Sequence, residues 1–135
     1  MITVLINGGL GNQLFQVFAT LAAAIRNGDV CYFLYTTKDA TGRRAPYWNT
    51  LLHGLKPMMV LSTQANVQRF MQLPVYQEPA FRYNKLPRKT AMNATPLKLV
   101  GYFQSDKYFA DVRYKIYEKL QPLEQQRHIR AMFAE

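Results

Sequence analysis

The chain has 135 residues, 49% of them hydrophobic and 13% aromatic, which is enough for one domain with a real core and too apolar for a disordered chain. Its formal net charge of +9 suits anionic partners: nucleotide-sugar phosphates, nucleic acid or a membrane surface. The cations are scattered, however, with only the short pairs Arg43-Arg44 and Arg88-Lys89, and they match no nucleic-acid recognition motif. The lone Cys31 excludes an internal disulfide and reads as a buried strand thiol, and two histidines far apart, His53 and His128, give no metal-ligand spacing.

Ile2-Thr3-Val4-Leu5-Ile6 is rich in β-branched residues and predicts a strand buried on both faces of a parallel sheet. Asn7-Gly8-Gly9 stops it. Leu14, Val17, Phe18, Leu21, Ala22 and Ile25 then recur at helical spacing, with Asn12 as the expected N-cap and Asn27-Gly28 as the stop. The chain therefore opens strand, glycine loop, helix. Glycines at 8, 9 and 11 let the backbone approach a ligand, and the helix N-terminus favours an anion. Asn12 and Gln13 add amides that both donate and accept.

The loop meets the dinucleotide fingerprint only in part. Gly9-x-Gly11 is present, but Leu14 stands at the third glycine, and Asp39 lies too far on to be the ribose-binding acid. No Gly-Lys-Ser/Thr of a P-loop occurs. A tight turn that binds nothing is the alternative reading of the glycines alone.

Residues 30–35 predict the second strand, and residues 36–46 a polar loop. Trp48, Leu51, Leu52 and Leu55 fall on one helical face that Gly54 and Pro57 should end; His53 within it reads as a packing or surface residue. Residues 58–61 predict a short strand, and Ser62 or Thr63 can cap a helix over 64–71 with Val67, Phe70 and Met71 inward. Residues 72–97 hold four prolines and read as loop, with a short strand near 80–83. Residues 97–103 form the clearest late strand. Ser105 should cap a helix with Phe109, Val112, Ile116 and Leu120 on one stripe, and Pro122 should start a last helix over 123–134. Asn93-Ala94-Thr95, followed by Pro96, is a sequon by chance.

Alternating strands and helices predict a single α/β domain over 1–135, a Rossmann-like parallel sheet with flanking helices and right-handed crossovers. Ligands then sit beyond the carboxyl ends of the strands, which puts residues 8–13 and 101–105 on one rim. Met1 leads into a strand without a basic segment, so no signal peptide is expected, and no apolar run reaches transmembrane length. The expected location is cytoplasmic or peripheral to a membrane through the basic surface.

With both rim loops quoted, a resemblance can be named. Gly8-Gly9-Leu10-Gly11-Asn12-Gln13-Leu14-Phe15-Gln16 resembles the N-terminal signature of glycosyltransferase family 11, the α-1,2-fucosyltransferases. Gly101-Tyr102-Phe103-Gln104-Ser105-Asp106-Lys107-Tyr108-Phe109 is similar to a second block of that family, and the segments at Tyr47-Trp48 and 76–83 are similar to its members. The resemblance implies the N-terminal domain of a GT-B-type enzyme. It implies transfer of L-fucose from GDP-fucose to a galactoside hydroxyl with inversion, without a metal or further cofactor. The partners so implied are the nucleotide-sugar donor and a galactose-containing glycan acceptor, not nucleic acid. Gly9, Gly11, Asn12 and Gln13 would line the cleft, with Gln104 and Ser105 on the neighbouring loop.

The departure from the family pattern concerns the His-x-Arg-Arg-Gly-Asp motif, whose arginines are thought to hold the leaving diphosphate. His128-Ile129-Arg130-Ala131 begins like it but lacks the second arginine and the Gly-Asp. The expectation is an N-terminal half, a fragment or split gene product with its nucleotide-binding half separate or missing, and negligible transfer by this chain alone. Loss of leaving-group stabilisation alone costs about 10²-fold or more. No general base is evident; Asp39, Glu78 and Asp106 read as cap, loop or surface carboxylates.

Overall fold

The computed structural model describes residues 1–88, 96–120, 127 and 130–133. Strand β1 (Ile2–Val4) leads to helix α1 (Leu10–Asn27) and strand β2 (Phe33–Tyr35). A 3-10 helix (His53–Met58), β3 (Met59–Leu61), α2 (Gln64–Met71), β4 (Val75–Gln77) and β5 (Leu97–Val100) follow. Two 3-10 turns, Asp106–Tyr108 and Ala110–Val112, then run into α3 (Arg113–Leu120).

Every strand pairing is parallel: β1 with β5, β5 with β4, and β2 with β3. A single parallel bridge, Ile2 to Cys31, joins the three-stranded and two-stranded sheets. Across the molecule the order is β3-β2-β1-β5-β4. The chain thus leaves β1 toward one side, completes β2 and β3, and returns to build β4 and β5 on the other. This is a parallel α/β arrangement with flanking helices, consistent with a Rossmann-like fold, and its order reverses between β1 and β5.

All three residues of β1 are buried, as a strand covered on both faces requires. Lys98 stands in register with Thr3, and its ammonium donates to the Phe70 carbonyl of α2, 2.9 Å. It also lies over the Phe70 ring, 4.7 Å from its centroid. Burial pushes the Lys98 pKa down, and that carbonyl and ring are what keep the cation tolerable there.

α1 departs from the expected register. Its N-cap is Gly9, whose carbonyl accepts from the Gln13 N–H at 3.0 Å, so Asn12 lies inside the first turn. Its deepest face holds Gln13, Gln16, Val17, Thr20 and the alanines at 22, 23 and 24, with Leu21 beside them. Leu14, Phe18 and Ile25 are only partly buried, and residues 106–120 cover the flank that carries Phe15 and Phe18. There Phe109 meets Phe18 edge-on, 5.1 Å between ring centroids, and Phe15 at 6.1 Å. The helix ends as predicted, with Gly28 left-handed and its N–H on the carbonyls of Ala24 and Ile25.

Other differences are local. Strand β2 spans only Phe33–Tyr35, because Val30 is exposed and Cys31 makes an isolated bridge. The stretch after Pro46 forms turns and a 3-10 helix, and Gly54 and Pro57 lie inside that helix instead of ending it. Trp48, Leu52 and Leu55 are buried as expected, but Leu51 is exposed. Thr63 caps α2 through the Asn66 N–H; Phe70 is buried, Val67 partly so, and Met71 faces out. The strand expected near 80–83 lies instead at Val75–Gln77, where β5 offers an edge. The late strand stops at Val100, and Ser105 caps only a 3-10 turn. Phe109, Val112, Ile116 and Leu120 are buried, as their stripe predicts. Of the last predicted helix, residues 127 and 130–132 are helical; Pro122, His128 and the sequon at 93–95 lie outside the described residues.

Candidate functional site at the strand ends

At the point where the sheet order reverses, two loops face each other: residues 7–9 after β1 and residues 101–105 after β5. Gly8 has φ 88°, a conformation that favours glycine, and a Cβ there would crowd the Asn12 side chain, 2.5 Å from its Nδ2. Gly101 has φ 150°, and its Cβ would lie 2.5 Å from Glu78 Cβ. Phe103 has φ 53°, a costly conformation for a bulky residue. It is held by burial of its ring, by the edge of Tyr108 at 5.3 Å, and by donation of its N–H to Glu78 Oε1 at 3.2 Å.

Two buried glutamines of α1 bind these loops together. Gln16 accepts from the Asn7 N–H at 3.0 Å and donates to the Gly101 carbonyl at 3.1 Å. Gln13 donates to the carbonyls of Gly8 (2.9 Å) and Ala45 (3.4 Å) and accepts from the Tyr47 N–H at 3.2 Å. Both side chains are 0% exposed. A primary amide suits this role because it satisfies a donor and an acceptor at once.

Asp39 anchors the glycine loop from the β2 side. Its carboxylate accepts from the Thr41 hydroxyl (2.6 Å) and from the N–H groups of Gly8 (2.9 Å), Arg44 (3.2 Å) and Arg43 (3.3 Å). The Thr41 hydroxyl, then the backbone donors, hold its pKa well below the usual carboxylate range against the opposing effect of burial. The acid of a dinucleotide site must face a ribose; this one is committed to the protein's own donors.

Asn12 and Gln104 meet on the exposed rim, Gln104 Nε2 donating to Asn12 Oδ1 at 2.5 Å. Gly9 lies beneath Arg44, whose Nη1 would be 3.1 Å from a Cβ at that position, while Gly11 opens onto free space. Ser105 Oγ accepts from the Lys107 N–H and serves as a turn cap. The loops thus place Gly9, Gly11, Asn12 and Gln104 along one exposed rim, where Asn12 and Gln104 touch, with Gln13 beneath the glycine loop as a clasp and Ser105 capping the turn after Gln104. The sequence points to Asp39 only as a cap, loop or surface carboxylate, and to Gln16 and Arg44 with no role of their own; the cap reading of Asp39 is what the structure shows. The signal for Gln16 is polar residues three apart, Gln13 and Gln16, at the start of an apolar helix.

Two grooves adjoin these loops. One of about 400 Å³ is lined by Gly9, Arg44, Ala45, Pro46, Tyr47 and Thr50. Another of about 260 Å³ lies across Asn7, between Glu78, Phe81, Gly101 and Tyr102. A third, of about 410 Å³, lies at the far end of α1 between Arg26, Lys85, Arg88 and Lys107; Arg26 there pairs through two nitrogens with Asp111. Among the described residues no cluster of three or more His, Cys, Asp or Glu could hold a metal, and no helix is long and apolar enough to cross a membrane.

Fold and site together define a parallel α/β unit with a polar rim at its switch point and Arg44 beside the N-cap of α1. No family model, curated protein or solved structure matches the chain.

Proposed function

We propose that the rim formed by these two loops binds a sugar nucleotide, and that the chain is the N-terminal, Rossmann-like half of a GT-B-type fucosyltransferase of the α-1,2 kind. In that reading L-fucose passes from GDP-fucose to a galactoside hydroxyl with inversion. The observation that carries it is the Gln104–Asn12 hydrogen bond: it joins two blocks 92 residues apart, the two that resemble glycosyltransferase family 11. Support comes also from the anion-binding character of the rim, where the α1 N-terminus, the open backbone at Gly11 and the Arg44 guanidinium converge. The commitment of Asp39 to four protein donors weighs against a dinucleotide.

The test is equilibrium binding. GDP-fucose should bind saturably and NAD should not. Asn12→Ala should weaken GDP-fucose by about tenfold, the worth of one polar contact to a charged ligand. Saturable NAD binding without GDP binding would overturn the reading.

A second reading, a non-catalytic anion- or nucleotide-binding module, is favoured by the net charge of +9. Both readings expect no detectable fucose transfer to lactose by the chain alone. They part when a separate C-terminal half is supplied, because only the enzyme reading expects activity then.

A further inference from the structure

The groove across Asn7 differs in character from the rest of this basic molecule. None of the described residues lining it is Lys or Arg, although the chain carries a net charge of +9. Its polar lining includes two acceptor groups that stand out, one unfilled and one engaged. Asn7 Oδ1 is buried and finds no hydrogen-bond partner among the described residues. Both oxygens of Glu78 are acceptors too, already engaged by the Phe103 N–H and the Tyr108 hydroxyl. The remaining wall is aromatic: Phe81 and Tyr102 lie near-parallel, 6.2 Å between centroids and 20° between planes. Phe81 is 87% exposed, so one ring face is open to solvent.

An exposed aromatic face beside one unfilled acceptor, without a cation, suits a neutral ligand with an apolar face and a hydroxyl donor. We propose that this groove is a saccharide subsite, in which a pyranose ring lies on Phe81 and one of its hydroxyls donates to Asn7 Oδ1. Sugar C–H groups meet the electron-rich ring face. The unpaired Asn7 oxygen gains its missing partner by rotation of the terminal amide, a soft torsion. The groove adjoins the rim through Asn7, whose own N–H is held by Gln16 of α1. A sugar here would sit beside whatever occupies the glycine loop. The choice of a galactoside as probe rests on the fucosyltransferase reading; the site itself rests on the groove.

The experiment is saturation-transfer NMR of the full chain with lactose, alongside a separate titration with GDP. Lactose should bind saturably, Phe81→Ala should weaken it at least fivefold, and Phe81→Trp should retain it. Phe81 is so exposed that neither change should disturb folding, which the unchanged amide spectrum would report. Asn7→Ala should weaken lactose without moving GDP affinity. Lactose binding without GDP binding supports this subsite while the donor reading fails. GDP binding with no lactose binding, or lactose affinity indifferent to Phe81→Ala, overturns the subsite and leaves the donor reading standing.

Discussion

Single residues here do work that their types conceal. Asp39, outwardly a loop charge, fixes the loop that follows β1 through four donors. Its folded pKa is depressed, so its contribution to stability is present above the unfolded value of about 4 and is lost as pH falls toward the folded one. Denaturant midpoints measured from pH 6 down to pH 3 should therefore fall more steeply for the wild type than for Asp39→Asn, which should be less stable at pH 6 and less pH-dependent. Cys31 illustrates the opposite case. Burial pushes its thiol up to about 12, so the thiolate is scarce and inaccessible. Iodoacetamide at pH 8 should leave Cys31 unmodified in the folded chain and alkylate it fully in denaturant, as mass spectrometry would read.

At the scale of elements, the joint between β5 and α3 is where local rules are most strained. Gly101 and Phe103 both take positive φ within three residues, which turns the chain across the sheet end and delivers Gln104 to Asn12. Gly101→Ala forces a Cβ against Glu78 in a backbone conformation that alanine resists, and should cost about 2–4 kcal/mol in denaturant unfolding. Much of this level was legible beforehand. The β1-loop-α1 opening, α2 with its Thr63 cap, the Gly28 stop and the buried stripe of Phe109, Val112, Ile116 and Leu120 all follow from local pattern. The misses share a cause, because each was decided by a distant partner. Val75–Gln77 became a strand because β5 lay beside it, although Pro74 and Pro79 flank it. Gln13 and Gln16 turned inward beside Val17, Leu21 and Ala22 of the predicted face, because three loops needed donors and acceptors there. Asn12 lost the cap to Gly9 and reached Gln104 instead.

For the whole molecule, the parallel order β3-β2-β1-β5-β4 places the glycine loop and the second block on the same edge of the sheet, as expected from alternating strands and helices. That edge carries two environments of different chemistry. On one side Arg44 and the α1 N-terminus suit an anion; on the other Asn7, Phe81 and Tyr102 suit a neutral ring. Only the first could be read from the sequence, as glycines before a helix, because the second is assembled from residues far apart in the chain. On the proposed reading a donor and an acceptor would be held side by side there, the arrangement that group transfer needs.

The central claim is that residues 8–13 and 101–105 form one sugar-nucleotide-binding rim. Amide chemical-shift mapping with GDP-fucose tests it most directly. The account predicts saturable shifts concentrated at Gly9, Gly11, Asn12 and Gln104, titrating together with one affinity and weakened about tenfold by Asn12→Ala. Shifts confined to the basic groove at Arg26, Lys85 and Lys107, indifferent to Asn12→Ala and erased by moderate salt, would contradict it.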